Sequence, residues 1–134
     1  MNSLKLRSQL EDFFIEDIGE QDLTTDLIFT DDTTGKIVFL SKDEGVFCGE
    51  EIIKTGFQLL NQDIGIELFV KDGQAIKKGQ ELAHVSGKIS DLLKGERVVL
   101  NLVQRMSGIA ALTQKTVQTL DSGHTRVCDT RKTT

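Results

Sequence analysis

Ile64-Gly65-Ile66-Glu67-Leu68-Phe69-Val70 runs into Lys71-Asp72-Gly73, then Gln74-Ala75-Ile76-Lys77-Lys78-Gly79, then Gln80-Glu81-Leu82-Ala83-His84-Val85. Apolar residues at 64, 66, 68 and 70 recur every second position, the period of a strand with one buried face. Asp72-Gly73 and Lys78-Gly79 are turn signals, and Glu81 to Val85 is a further short strand. Two strands separated by glycine turns imply antiparallel sheet, which needs no crossover helix.

The pattern extends in both directions. Upstream, Gly35 to Leu40 is a β-type run, continued after a break by Val46-Phe47-Cys48. Ile52, Ile53, Gly56, Leu59 and Leu60 then fall on one face of a helix. Leu6, Leu10, Phe13 and Phe14 mark an earlier helix, with Ser3 placed as its N-cap and Gly19 as its stop. Asp22-Leu23-Thr24-Thr25-Asp26 reads as a polar turn. Downstream, a long helical pattern begins near Ser90 and passes Leu100, Val103 and Leu112 to Leu120, with a predicted break at Ser107-Gly108. Gly123 ends it, and Arg126-Val127-Cys128 is predicted as a last strand. Strands followed by helices predict an α+β domain followed by the first unit of an α/β barrel.

Composition narrows the function classes. The chain has 134 residues, 28% charged and 38% hydrophobic, which suits one soluble globular domain with a real core. No apolar run approaches ~18 residues, so no membrane span is predicted, and Met1-Asn2-Ser3-Leu4-Lys5-Leu6-Arg7 lacks the apolar core of a signal peptide. Cys48 and Cys128 are read as two reduced cysteines of a cytoplasmic protein rather than a disulfide. Net charge is −5, unevenly spread: residues 1–85 carry 8 Lys/Arg against 17 Asp/Glu, and residues 86–134 carry 8 against 4. The acidic part repels nucleic acid, and the basic part is too small and free of aromatic residues to form a nucleic-acid surface. A cationic end suits a small polyanion.

That end is Cys128-Asp129-Thr130-Arg131-Lys132-Thr133-Thr134. A guanidinium beside an ammonium, just past a predicted strand, suits a ligand with carboxylates or phosphates, and α/β barrels place substrate contacts at strand C-termini. Arg97, in Glu96-Arg97-Val98-Val99-Leu100-Asn101-Leu102, reads from the residues alone as an exposed arginine or a partner for a nearby carboxylate. Asn101, four positions on, is placed to orient it. Arg105 lies two turns on, roughly 12 Å along the axis, where it adds to the positive field or serves as an ordinary surface residue. Gly108 is read as allowing close helix packing. His84 and His124 have no metal-ligand spacing and no nucleophile partner, so no metal ligand and no catalytic residue is assigned.

Taken together, Asp22-Leu23-Thr24-Thr25, Gly45-Val46-Phe47-Cys48-Gly49, the Glu96–Leu102 stretch, Ser107-Gly108-Ile109-Ala110 and the Asp129–Thr134 ending resemble the N-terminal half of quinolinate phosphoribosyltransferase, also called carboxylating nicotinate-nucleotide pyrophosphorylase. The resemblance implies an N-terminal α/β sandwich domain over residues 1–105 and the start of the phosphoribosyltransferase barrel, cut short, over 106–134. It implies an enzyme lineage that makes nicotinate mononucleotide, pyrophosphate and carbon dioxide from quinolinate and 5-phosphoribosyl-1-pyrophosphate. It assigns substrate contacts to Thr130, Arg131 and Lys132. It assigns Arg97 to a substrate carboxylate across a homodimer, and it implies Mg2+ carried by the donor's pyrophosphate. Ala111 departs from the family, which often has threonine there.

Three other readings stand beside it. A related family encoded with molybdate transport shares the pattern. A non-catalytic dimerising fragment fits a chain lacking most of a barrel. The Asp72–Gln80 stretch resembles half of a biotinyl or lipoyl carrier domain, but no Met-Lys-Met or Asp-Lys-Ala carries a modifiable lysine, so only hairpin geometry is shared.

Overall fold

The computed structural model describes residues 2–19 and 33–128. Helix α1 (Ser3–Ile18) comes first, then strand β1 (Thr34–Leu40), strand β2 (Gly45–Val46) and helix α2 (Glu50–Leu60). Strands β3 (Gly65–Leu68), β4 (Ala75–Ile76) and β5 (Glu81–Lys88) follow, and helix α3 (Ile89–Leu120) is the longest element.

The antiparallel expectation holds. β5 is the centre of a three-stranded sheet in the order β1-β5-β3, and both neighbours run antiparallel to it. The short β2 and β4 form a separate antiparallel pair. Gly73 and Gly79 have φ of 85° and 79°, the left-handed conformation that glycine adopts without steric cost. These two turns carry the chain from β3 out to β4 and back into β5.

Alternation puts Ile37, Phe39, Ile66, Leu68, Ala83 and Val85 on the inner face of the sheet, where the helices lie. Leu6, Leu10 and Phe14 of α1, Ile52, Ile53 and Phe57 of α2, and Leu92, Val98, Val99 and Val103 of α3 complete one core. Phe39 and Phe57 meet edge to face at 6.3 Å between ring centres, the arrangement that aromatic quadrupoles favour. The result is a mixed α/β layer structure with helices on one face of the sheet.

The structure departs from the sequence reading in several places. The N-cap of α1 is Asn2, whose side chain accepts from the backbone N–H groups of Leu4 and Lys5, and not Ser3. Gly19 ends that helix with a φ of 63°. Phe13 is exposed, because only three of the four apolar positions fit the stripe facing α2 and α3. The predicted break at Ser107-Gly108 is absent: α3 is continuous from Ile89 to Leu120. A glycine inside a helix costs about 1 kcal/mol relative to alanine, which is too little to stop a helix of this length. No strand forms over Arg126–Cys128, because no neighbouring strand among the described residues pairs with it. The Asp22–Asp26 turn lies outside the described residues.

Close approach of α2 and α3 depends on glycine at two positions. A Cβ at Gly95 would stand 2.7 Å from the Phe57 ring, and one at Gly56 would stand 2.7 Å from a Val99 methyl. Gly108 differs, since a Cβ there would meet nothing, and the close-packing role assigned to it is corrected accordingly. Gly95→Ala is therefore expected to lose about 1–2 kcal/mol net, with overpacking of ~1–3 kcal/mol outweighing the better helix propensity of alanine. Gly108→Ala is expected to lose nothing. Urea unfolding followed at 222 nm checks both, and equal midpoints for the two variants would contradict the packing account.

Candidate functional site

The residues joining β2 to α2 are held from three directions. Phe47 exchanges backbone hydrogen bonds with the Asp72-Gly73 turn region: its N–H donates to Gln74 at 2.9 Å, and its carbonyl accepts from Gly73 at 2.8 Å. The Ser107 hydroxyl accepts from the Cys48 N–H at 3.0 Å and donates to the Cys48 carbonyl at 3.2 Å. Asp72 accepts from the N–H groups of Gly49 at 2.7 Å and Glu50 at 3.0 Å.

Asp72 thus caps α2 from more than twenty residues away. Gly49, the local N-cap, has no side chain to do it, so the carboxylate satisfies donors that a helix start leaves unpaired. Its charge also faces the positive end of the α2 dipole. Close packing calls for glycine at this position, because a Cβ on Gly49 would stand 2.7 Å from Val103. The sequence reading treated Asp72 only as a turn residue, and nothing local marks it as a cap.

The cap perturbs one titratable group. Burial pushes the Cys48 thiol above its ordinary value of 9.0, and the nearby Asp72 charge adds to the effect. A thiol held protonated is a poor nucleophile. Both cysteines are free, Cys48 half-buried and Cys128 exposed.

Arg97 lies on the exposed side of α3, with Val98 and Val99 beside it in the core. Its Nη1 pairs with Oδ1 of Asp17, in the last turn of α1, at 3.3 Å. The Arg97 side chain remains 73% exposed. The expected contact with Asn101 does not form. Arg105 is exposed as well. Thr130, Arg131 and Lys132, the other residues assigned to substrate, lie outside the described residues, as does Asp129. Arg97 is therefore the one assigned site residue that the structure places.

The histidines do not join it. His84, at the centre of β5, pairs through Nε2 with Glu81 at 2.8 Å and packs edge to face on Phe69. Among the described residues no group of three His, Cys, Asp or Glu side chains could hold a metal ion, and no helix is long and apolar enough to cross a membrane. The outer half of α3 exposes Ile109, Leu112, Val117 and Leu120. A shallow trough there is lined by Leu112, Lys115, Thr116, Thr119, Leu120 and Val127. Its near end, Leu112, lies roughly 22 Å along the helix from Arg97, at about 1.5 Å per residue.

Comparisons with known proteins converge. Residues 22–107 match the family model described as "Quinolinate phosphoribosyl transferase, N-terminal domain". A Bacillus subtilis (strain 168) protein named "Probable nicotinate-nucleotide pyrophosphorylase [carboxylating]" is 47% identical over all 134 residues, which span 46% of its length. A Synechocystis protein of the same name is 37% identical over 93% of this chain and 42% of its own length. Among solved structures, NadC from Streptococcus pyogenes superposes with a TM-score of 0.95 at 30% identity, over 100% of this chain and 48% of that one. The chain thus spans about half the length of the relatives it matches.

Cys48 gives a direct check of the geometry around α2. With iodoacetamide at pH 8, Cys128 is expected to alkylate first and Cys48 to lag severalfold. Asp72→Asn removes one of the two causes raising the Cys48 thiol, so labelling of Cys48 should quicken. Peptide mapping reads both rates, and a Cys48 that reacts as fast as Cys128 would refute the assignment.

Proposed function

Because the chain belongs to the quinolinate phosphoribosyltransferase N-terminal domain family, we propose that it is the N-terminal half of an enzyme that joins quinolinate to 5-phosphoribosyl-1-pyrophosphate. The products are nicotinate mononucleotide, pyrophosphate and carbon dioxide, a step of NAD biosynthesis. The observation that carries this reading is the match along the full chain to a relative named for that activity. The names of the matched relatives favour it over the molybdate-transport relation. The domain limits proposed are 1–105 for the sandwich and 106–134 for the start of the barrel, with α3 running through the boundary.

The chemistry asks for fixed cations. The pyridine nitrogen forms a bond to C1 of the ribose as the bond from C1 to the pyrophosphate oxygen breaks, and pyrophosphate leaves with that electron pair. The bond from the ring to the adjacent carboxylate then breaks, its electron pair stays on the ring carbon, and a proton replaces the carbon dioxide. Two carboxylates and a pyrophosphate must be desolvated for this, which is costly unless they are paired. Arg97 is assigned to a quinolinate carboxylate across a homodimer, and Thr130, Arg131 and Lys132 to the substrates of their own subunit. Positioning and electrostatic stabilisation do the work. Mg2+, where present, would be carried by the donor's pyrophosphate and would offset its charge. The described residues hold no ligand cluster for it, so no residue here is assigned to the ion. The working location proposed is the cytoplasm.

The 134-residue chain alone is expected to form no nicotinate mononucleotide, since one helix past the sandwich cannot enclose two substrates. In the full-length protein, Arg97→Ala is expected to cost about 1.5–3 kcal/mol of quinolinate binding and turnover, the worth of a charge-assisted contact, with little loss of stability. Mixing Arg97→Ala with Arg131→Ala subunits should restore activity, because one hybrid site keeps both residues. If the exchanged mixture stays as inactive as its parents, Arg97 acts within its own subunit or in the fold.

A further inference from the structure

We infer that Asp17 is a positioning residue for Arg97, holding its guanidinium by one edge so that the rest of the fork is presented to a substrate carboxylate. This deepens the reading of Arg97 given above and rests on it.

The contact is one-sided. A single Nη1–Oδ1 distance of 3.3 Å joins the two residues, and a guanidinium carries five N–H donors in a planar fork. A bidentate pair would occupy one whole edge of that fork. Among the described residues this contact leaves Nη2 and Nε without a partner, the pair of donors that can receive a carboxylate side by side.

The side-chain exposures are also unequal, 27% for Asp17 and 73% for Arg97. The carboxylate reaches from the last turn of α1 to Arg97 on α3, whose side chain stays mostly in solvent. An anchor of this kind lowers the entropy that a long side chain loses when it binds.

The placement of Asp17 is poor for α1 itself. A helix C-terminus carries partial negative charge and favours cations in its last turn. The last turn of α1 has no basic residue, yet Glu16 and Asp17 stand there. The cation that balances this end is supplied by Arg97, 80 residues away. The C-terminal carbonyls of α1 and the Asp17 carboxylate therefore draw Arg97 to one place. An exposed ion pair contributes little to stability, so the geometry points to orientation as the gain.

Two measurements test this. In the isotopically labelled 134-residue chain, 15N relaxation of the Arg97 Nε–H group should report a restrained side chain that becomes mobile in Asp17→Ala. In the full-length enzyme, Asp17→Ala should raise KM for quinolinate by about 3- to 10-fold, with kcat and KM for the phosphoribosyl donor within 2-fold. Asp17→Asn, which keeps an acceptor oxygen, should lose less. On an Arg97→Ala background, Asp17→Ala should have no further effect.

An Arg97 side chain equally mobile with and without Asp17 overturns the inference. So does an Asp17→Ala effect of the same size on both backgrounds, since that marks a purely structural role. If Arg97→Ala itself leaves KM for quinolinate unchanged, the assignment of Arg97 to substrate fails. The relaxation data then still decide whether Asp17 holds the side chain.

Discussion

The carboxylate of Asp72 on the first N–H groups of α2 is the contact on which the arrangement of the helices depends. It ties the turn after β3 to the start of α2, and Ser107 ties the same short segment to α3 through Cys48. Three pieces of chain distant in sequence thus meet at Cys48-Gly49-Glu50. Each contact is modest in isolation, about 1 kcal/mol for an ordinary hydrogen bond and about 0.5–2 kcal/mol for a cap. Their common effect is geometric, because the start of α2 and the middle of α3 cannot move independently. Val103 closes against Gly49, and the Gly56 and Gly95 contacts continue that closeness along both helices.

This constraint reaches Arg97 through packing. Val98 and Val99 are buried beside it, so the rotation of α3 about its axis is set by the core, and with it the direction in which residue 97 projects. α1 packs on the same two helices through Leu6, Leu10 and Phe14. Its last turn is thereby brought to Arg97. The match to the family model spans residues 22–107 and so omits α1, yet α1 supplies the charged partner of Arg97, the one proposed site residue among the described residues.

What the sequence revealed follows from the range of the forces involved. The alternation from Ile64 to Val70, the helical stripes and the Gly73 and Gly79 turns are local, and each appears where its period or its backbone need predicted it. The N-cap was misplaced by one residue, since Asn2 and Ser3 are both good caps and only the hydrogen bonds of Asn2 decide between them. The misread break at Gly108 came from weighing one glycine against a long favourable run. Phe57, fully buried at the α2–α3 contact, was not singled out, because its neighbours already satisfied the stripe. The Asp72 cap and the Arg97–Asp17 pair span 22 and 80 residues respectively. No periodicity encodes such contacts, so they were not legible at all. The substrate roles proposed for Thr130, Arg131 and Lys132 rest on resemblance to a family, with only the adjacent cations as a local signal.

α3 itself explains why the domain boundary proposed inside it leaves no mark in the backbone. Its inner half is fixed by Leu92, Gly95, Val98, Val99 and Val103. Beyond Gly108 the hydroxyls of Thr113, Thr116 and Thr119 turn back onto the carbonyls four residues earlier, leaving Ile109, Leu112, Val117 and Leu120 as the larger exposed groups. An isolated helix shorter than ~12–15 residues is marginal in water, and this outer half has about that length. Continuity with the packed half removes the nucleation cost, since propagation needs only one hydrogen bond per residue added. A helix anchored in one layer can thus extend an apolar stripe beyond that layer without an interruption in its own hydrogen bonds. The change of role along α3 is a change in what its side chains touch, which backbone periodicity does not record.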